Sequence, residues 1–368
     1  MVYGNIMIMV YLGVGMKKGL VRRLFAGSMT LALCLIAGCR SDETPEYRTL
    51  PPVSDKIRGR AEALAQVWRA DPVRSVLLNE TDLASYRHCC PQLVERLRLL
   101  GVDHAGIAVE SPDAFSGSRR KLLTGMIAAL GEGGIRCDLV LAPHQFVEER
   151  PMPIFSRLSG GGDPFDDVLR DAVRLNRDLP EKHPLAGIAI RADVHRLTET
   201  NPHLPVGMLY RWRESDYGIG SDNDLMMKLF LQRCADWRKL AAGEGLKFHV
   251  AVPAFYHEKA SAGQLSKGKV TDFLAVADTV TVIGYGTKPT EYLASLQHVL
   301  AAGGRDRRVR CGIALSGHVS DAGGAIRRRN WEDFLRILSA MHPVFAASPA
   351  YGGMVLAPWQ SVELLQER

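Results

Sequence analysis

The sequence predicts an α/β protein: a single (β/α)8 TIM barrel with an extra N-terminal helix, behind an export signal. Three observations predict it. Short apolar runs alternate eight times with helical stretches. Most of those runs are continuously apolar, as parallel strands covered on both faces are. The long connectors follow strands while the helix-to-strand turns are short, the asymmetry of a barrel that carries its loops on one face.

The elements follow in order. Lys17, Lys18, Arg22 and Arg23 lead into an apolar run from Leu24 to Gly38, then Cys39 and a polar stretch. A charged patch, a short apolar core and small residues at the cut describe a secretory signal peptide, too short to span a bilayer. Leu35-Ile36-Ala37-Gly38-Cys39 resembles the lipobox of bacterial lipoproteins. That resemblance implies cleavage before Cys39 and its lipidation, with acyl chains (palmitate among them) as the membrane anchor. It divides the chain into a signal peptide at 1–38, a tether at 39–53 and a barrel at 54–368, with Met16 as the better start. Arg40 stands where an inner-membrane retention aspartate would, which points to the outer membrane in a Gram-negative source and to the periplasmic or extracytoplasmic face in general.

Ser54–Ala70 reads as the extra helix. The strands are expected at Val73–Asn79, His104–Val109, Arg136–Ala142, Gly187–Ala192, Lys247–Pro253, Thr279–Tyr285, Val309–Leu315 and Gly353–Ala357. Between them lie helical patterns at Leu83–Leu100, Arg119–Leu130, Phe165–Leu179, Asp224–Ala242, Val270–Val276, Thr290–Ala302 and Trp331–Met341, with a short last run at Ser361–Gln366. Asp163-Pro164 and Asn330 with Asp333 are helix starts. Gly101, Gly131, Gly243 and Gly303 are expected stops. The connectors Pro143–Pro164, Val194–Asn223, Ala254–Lys269 and Ser316–Asn330 are long enough to be functional.

Composition narrows the function. With 46% hydrophobic and 23% charged residues the chain can bury a large core. The net charge of +6 includes the basic residues of the signal, so no nucleic-acid partner is implied. Arg305-Asp306-Arg307-Arg308 and Arg327-Arg328-Arg329 read as solvated loops, with an acidic glycan or lipid headgroup as the alternative. Of seven cysteines, Cys34 leaves with the signal and Cys39 takes lipid. Cys137, Cys234 and Cys311 read as small buried hydrophobes; disulfide use among these and Cys89 and Cys90 stays open. His88-Cys89-Cys90 has no second ligand pair at metal spacing, and no cofactor is expected.

Candidate side chains project from the strand ends: Asn79, Glu80, Glu110, His144, Gln145, Asp193, His195, Tyr256, His257, Glu258, Tyr285, His318, Asp321, Trp359 and Gln360. Gly187-Ile188-Ala189-Ile190-Arg191-Ala192-Asp193, Val282-Ile283-Gly284-Tyr285 and Gly352-Gly353-Met354-Val355-Leu356 resemble the fourth, sixth and eighth strands of chitinase-like glycoside hydrolases of family 18. The fourth strand is also similar to that of uncharacterised glycosidase-type barrels. The resemblance implies a sugar-contacting Tyr285 and an acid at Asp193. The family's preceding aspartate positions hold Ala186, Ala189 and Arg191 here.

A glycosidase needs two carboxylates flanking the bond; Asp193 and Glu258, on neighbouring strands, are the economical pair, with Glu110 or Asp321 as other partners, and the alternative for Asp193 is an ion pair with Arg191 or another basic residue at the rim. His144, His195, Tyr210, Trp212, Tyr256, His318 and Trp359 are the expected substrate contacts. Tyr210, Trp212 and Tyr217 either stack on sugars or fold inward to pack their own loop. The sequence therefore predicts an envelope lipoprotein that hydrolyses or binds a polysaccharide. One alternative is a non-catalytic glycan-binding barrel. The second is a metal-dependent hydrolase built on His144, His195, His257 and His318, although the first strand lacks the His-x-His of amidohydrolase barrels.

Overall fold

The computed structural model describes residues 50, 52–79, 83, 86, 89–143, 146, 164–196, 212–284, 289–315, 330–358 and 362. Eight parallel strands close into a barrel in sequence order. They are β1 (Arg74–Asn79), β2 (His104–Val109), β3 (Arg136–Leu141), β4 (Gly187–Arg191), β5 (Lys247–Pro253), β6 (Thr279–Ile283), β7 (Val309–Ala314) and β8 (Tyr351–Ala357). Each matches its predicted run to within two residues at either end. β8 pairs with β1 through Ser75 and Val355, which completes the ring.

The helices are α1 (Asp55–Trp68), α2 (Cys90–Leu99), α3 (Gly117–Glu132), α4 (Pro164–Leu175), α5 (Asp222–Gly243), α6 (Ala254–Ser261), α7 (Val270–Val276), α8 (Pro289–Ala302) and α9 (Trp331–Ala346). The extra helix α1 starts where the Ser54 hydroxyl accepts the Ile57 amide, 3.2 Å away. It buries Ile57, Ala61, Leu64 and Trp68, one helical stripe. Trp68 Nε1 donates to the Leu100 carbonyl at 2.7 Å, and α1 packs on α2 and α9. Asn330 Oδ1 accepts the Asp333 amide at 2.8 Å and starts α9 as expected.

Three differences from the sequence reading have local causes. α2 begins at Cys90 with Pro91 in its first turn, rather than at Leu83. The stops expected at Gly131 and Gly243 fall at Glu132 and Gly243, but the left-handed residue after each helix is a later glycine, Gly134 with φ 78° and Gly245 with φ 72°; a left-handed turn is where glycine is needed. α6 occupies part of what reads as a loop, because eight residues are too few to show a helical period.

A buried polar clasp closes the seam between the last and first strands. Asp71, just ahead of β1, takes His342 Nε2 of α9 and the Tyr351 hydroxyl of β8, each at 2.7 Å. Burial first, and Asp71 second, push the Tyr351 phenol far above its usual range.

Candidate functional site

The carboxyl end of β4 carries the first part of the site. Arg191 is the last residue of the strand, and Asp193 follows two residues later. Asp193 is buried, and its Oδ2 accepts Arg191 Nη2 at 2.7 Å. A single turn of 3-10 helix at Val194–Arg196 then brings His195 over α6.

Tyr256 of α6 holds that turn. It is fully buried, and its hydroxyl accepts the His195 amide at 3.0 Å and lies 2.8 Å from His195 Nδ1. Burial pushes the phenol well above its ordinary value, so the hydroxyl keeps its hydrogen. The direction of the Nδ1 bond follows the tautomer: a hydroxyl that donates to Nδ1 leaves the imidazole proton on Nε2.

Trp212 and Tyr217 complete an aromatic cluster. Trp212 lies 5.4 Å from Tyr256 and 6.0 Å from Tyr217 between ring centroids. Only 8% of Trp212 is exposed, so of its two alternatives it takes the inward one. Lys259 Nζ stands 4.3 Å from the Tyr217 ring centre, a cation–π contact.

Glu258 has other surroundings. It sits two residues from Tyr256 on α6, about 200° around the helix. Burial raises its carboxyl above the usual carboxylate range, opposed by the charges of His298 and Lys259. Beside it, His257 Nδ1 accepts the Val270 amide at 3.1 Å, and its ring lies 4.8 Å from that of His298. Burial, with His298 next, lowers His257 to about 4. Asp193 and Glu258 thus act in separate environments: one is bound to Arg191, the other faces α8. The predicted contacts His144, Tyr210, Tyr285, His318 and Trp359, with Asp321 and Cys39, lie outside the described residues.

The described segment that leads into α5, residues 212–221, is pinned by Asp224. Its Oδ1 accepts the Ser266 amide and hydroxyl, both at 2.6 Å, and its Oδ2 accepts the Gly220 amide and Lys228 Nζ, both at 2.9 Å. Burial would raise the Asp224 carboxyl; these bonds outweigh it and hold the group far below its usual range.

Inside the barrel lies a constellation that the sequence reading missed. The register places Ser75 of β1, Asp138 of β3, His249 of β5 and Arg310 of β7 in one interior layer, four alternate strands contributing one residue each. Asp138 Oδ2 meets His104 Nε2 at 2.6 Å, with His249 Nε2 at 3.6 Å and Arg310 Nη1 at 3.7 Å. The Thr279 hydroxyl meets His249 Nδ1 at 2.6 Å. Burial would raise Asp138, and His104, His249 and Arg310 together outweigh it and hold the carboxylate well below its ordinary range. Burial lowers His249 to about 4, against the pull of Asp138.

Above this layer Gly106, Ala189, Ala251 and Gly312 take interior positions that bulky side chains fill in most such barrels. They leave an axial shaft of about 70 Å³ from the polar layer up to Arg191. Cys137, Cys234 and Cys311 are buried free thiols, as expected. Among the described residues, no three His, Cys, Asp or Glu side chains are grouped to hold a metal.

No family model matches the sequence, and no curated protein matches it either. Solved structures do match. The glycoside hydrolase domain of PgaB (BpsB) from Bordetella bronchiseptica superposes with a TM-score of 0.52 at 13% identity, over 80% of this chain and 98% of that one. The shared feature is the (β/α)8 barrel fold. A family 18 chitinase from Pseudoalteromonas aurantia gives a TM-score of 0.46 at 12% identity, over 79% and 96% of the two chains. A family 5 glycoside hydrolase from Bifidobacterium longum, in complex with a mannosyl-GlcNAc ligand, gives 0.49 at 12%, over 78% and 69%. At these identities the likeness is one of fold, and function has to be argued from this chain's own residues.

Proposed function

We propose that this chain is a membrane-tethered, glycan-binding (β/α)8 barrel, with its glycan at the carboxyl-end face and no bond cleavage required there. The pair of Arg191 and Asp193 carries this reading. Its carboxylate accepts a charge-assisted hydrogen bond from the Arg191 guanidinium at 2.7 Å, which suits it to hold a fixed position on a ligand-binding face. The absence of the family's aspartates at Ala186, Ala189 and Arg191 points the same way. In this reading His195 and Asp193 form the polar part of the ligand surface, Tyr256 and Trp212 pack beside them, and Tyr285, Tyr210, His144, His318 and Trp359 are the further contacts. The lipobox-like Leu35–Cys39 supports a lipid anchor at Cys39 and an extracytoplasmic location.

A second reading, hydrolysis by Asp193 and Glu258, is favoured by one observation: burial raises Glu258 towards the protonation a general acid needs. One experiment separates the two. The purified full chain is screened against a polysaccharide panel for binding and for release of reducing ends. Saturable binding without release supports the binding barrel. Release that Asp193→Asn abolishes replaces it with the hydrolase. For the anchor, Cys39→Ala should move the protein out of the membrane fraction or leave it uncleaved; unchanged fractionation and processing would remove the lipid from the proposal.

A further inference from the structure

The axial shaft has an acceptor at its floor with no donor to meet it. Asp138 is only 3% exposed. Its Oδ2 is engaged by His104 at 2.6 Å, while its Oδ1 has no hydrogen-bond partner. Against burial, the charges of His104, His249 and Arg310 keep this carboxylate ionised. A desolvated anionic oxygen without a donor is costly, and such groups are rare in folded proteins. Asp138 lines the shaft, so a group inside the shaft that brings an O–H or N–H completes it.

Charge on the walls decides the kind of donor. Arg310 offsets Asp138 at 3.7 Å, and Arg191 at the mouth is bound to Asp193 at 2.7 Å. The walls are therefore balanced, and a ligand with a charge of either sign meets a like charge on entering. A neutral donor meets none. Shape decides what carries that donor. Ser75, His249 and Thr281 keep the polar groups near Asp138, whereas Leu77, Val140, Ala189 and Ala251 make the wall above them apolar. A water needs two to four polar partners, which the floor offers and that wall does not. A hydroxyl on a short carbon arm satisfies both parts, with its oxygen on the floor and its carbons along the wall. Since a cavity of about 150 Å³ takes a benzene ring, about 70 Å³ suits a group of roughly three to four heavy atoms.

We propose that the shaft is a binding site for a primary alcohol group on a short carbon arm, its hydroxyl donating to Asp138 Oδ1. The arm is either a free alcohol of ethanol-to-propanol size or the hydroxymethyl arm of a sugar that enters from the carboxyl-end face. The site stands apart from the glycan reading, because neither Asp193 nor Glu258 lines the shaft.

The test titrates the full chain with 13C-labelled ethanol, read by line broadening. Acetonitrile, of the same size, accepts but cannot donate, and ethylammonium donates but carries charge. Saturable ethanol binding is expected with a millimolar Kd, the ceiling for so few atoms, and at least tenfold tighter than either control. Asp138→Asn should weaken it tenfold, because a neutral oxygen replaces a charged acceptor. Because that variant leaves Arg310 short of an anion and risks misfolding, Ala251→Leu is the second arm: it fills the shaft above an intact polar layer and should abolish binding. Acetonitrile or ethylammonium binding as well as ethanol, ethanol binding unchanged in Ala251→Leu, or a titration that never saturates, as a shaft holding water alone would give, would each overturn the proposal. Two methyl glycosides in competition identify the source. Displacement of ethanol by methyl glucoside and not by methyl xyloside, which lacks the hydroxymethyl arm, supports the sugar arm; displacement by both or by neither supports the free alcohol.

Discussion

Arg191 Nη2 donates to Asp193 Oδ2 at 2.7 Å across a single intervening residue, and both side chains are largely out of water. Removing one partner of a buried ion pair strands the other charge. Arg191→Met is therefore expected to cost about 3 kcal/mol, and Asp193→Asn less, since the orphaned charge is then the better-hydrated Arg191. Urea unfolding of both variants checks this. Equal and small losses, under about 1 kcal/mol each, would mean that the pair is as loose as a surface contact.

His249 makes barrel stability depend on pH. Its folded pKa of about 4 lies below the ordinary 6.5, so between those values the unfolded chain holds a proton that the folded barrel does not. Stability from this group is therefore complete above about pH 6.5 and falls as the pH drops towards 4. The fall from 6.5 to about 4 corresponds to about 3 kcal/mol. Asp138 is depressed in the fold, so its contribution is present above the unfolded value of about 3.9 and is lost below it. Denaturant unfolding at pH 7 and pH 4.5 should show a wild-type loss larger by about 2 kcal/mol than that of His249→Gln. Equal losses in the two proteins would place the titrating group elsewhere.

Much of this barrel is legible in the sequence, and its polar layer shows why some of it is not. Val76, Leu78, Ile107, Leu139, Ile188, Val250, Val282 and Ile313 face the helices and give the strands their apolar runs. His104, Asp138, His249 and Arg310 each interrupt such a run near its start, in four different strands far apart in the chain. Taken singly, each reads as the polar edge of a strand. The usable signal is that a parallel strand is covered on both faces, so a charged residue inside one has to meet a partner within the barrel. Asp193 is legible because it follows a strand at the loop-bearing end. Its partner is legible only as the alternative to catalysis, since spacing in sequence does not say which way Arg191 turns.

Asp224 is the brace of the described part of the aromatic loop. It ties Gly220 on one side to Ser266 on the other while Lys228 balances its charge. Asp224→Ala removes four bonds and leaves buried donors behind, a loss expected to be about 3 kcal/mol. Limited proteolysis should then cut between 212 and 221 faster than in the wild type, relative to cleavage elsewhere. Unchanged cleavage there would show that Trp212 and Tyr217 hold the loop without help.

Gly187 and Gly59 offer a paired test of whether the barrel interior is as tight as the register implies. A Cβ on Gly187 would lie 2.6 Å from the Lys247 carbonyl oxygen and 2.7 Å from His249 Nε2. The carbonyl belongs to the strand ladder and cannot retreat, and His249 is held by Thr279 on its far side. The glycine that opens the fourth strand therefore has a physical reason that needs no family motif: it makes room for an imidazole. Gly187→Ala is expected to destabilise by about 2 kcal/mol or more, or to prevent folding, as overpacking with no room to relax does. Gly59 lies in α1 with open space where its Cβ would be. There the same substitution should stabilise by about 0.5–1 kcal/mol, because alanine costs less chain entropy in a helix. Thermal unfolding of the two variants beside the wild type reads both signs at once, and a harmless Gly187→Ala would mean that His249 does not occupy the position from which the whole interior layer is built.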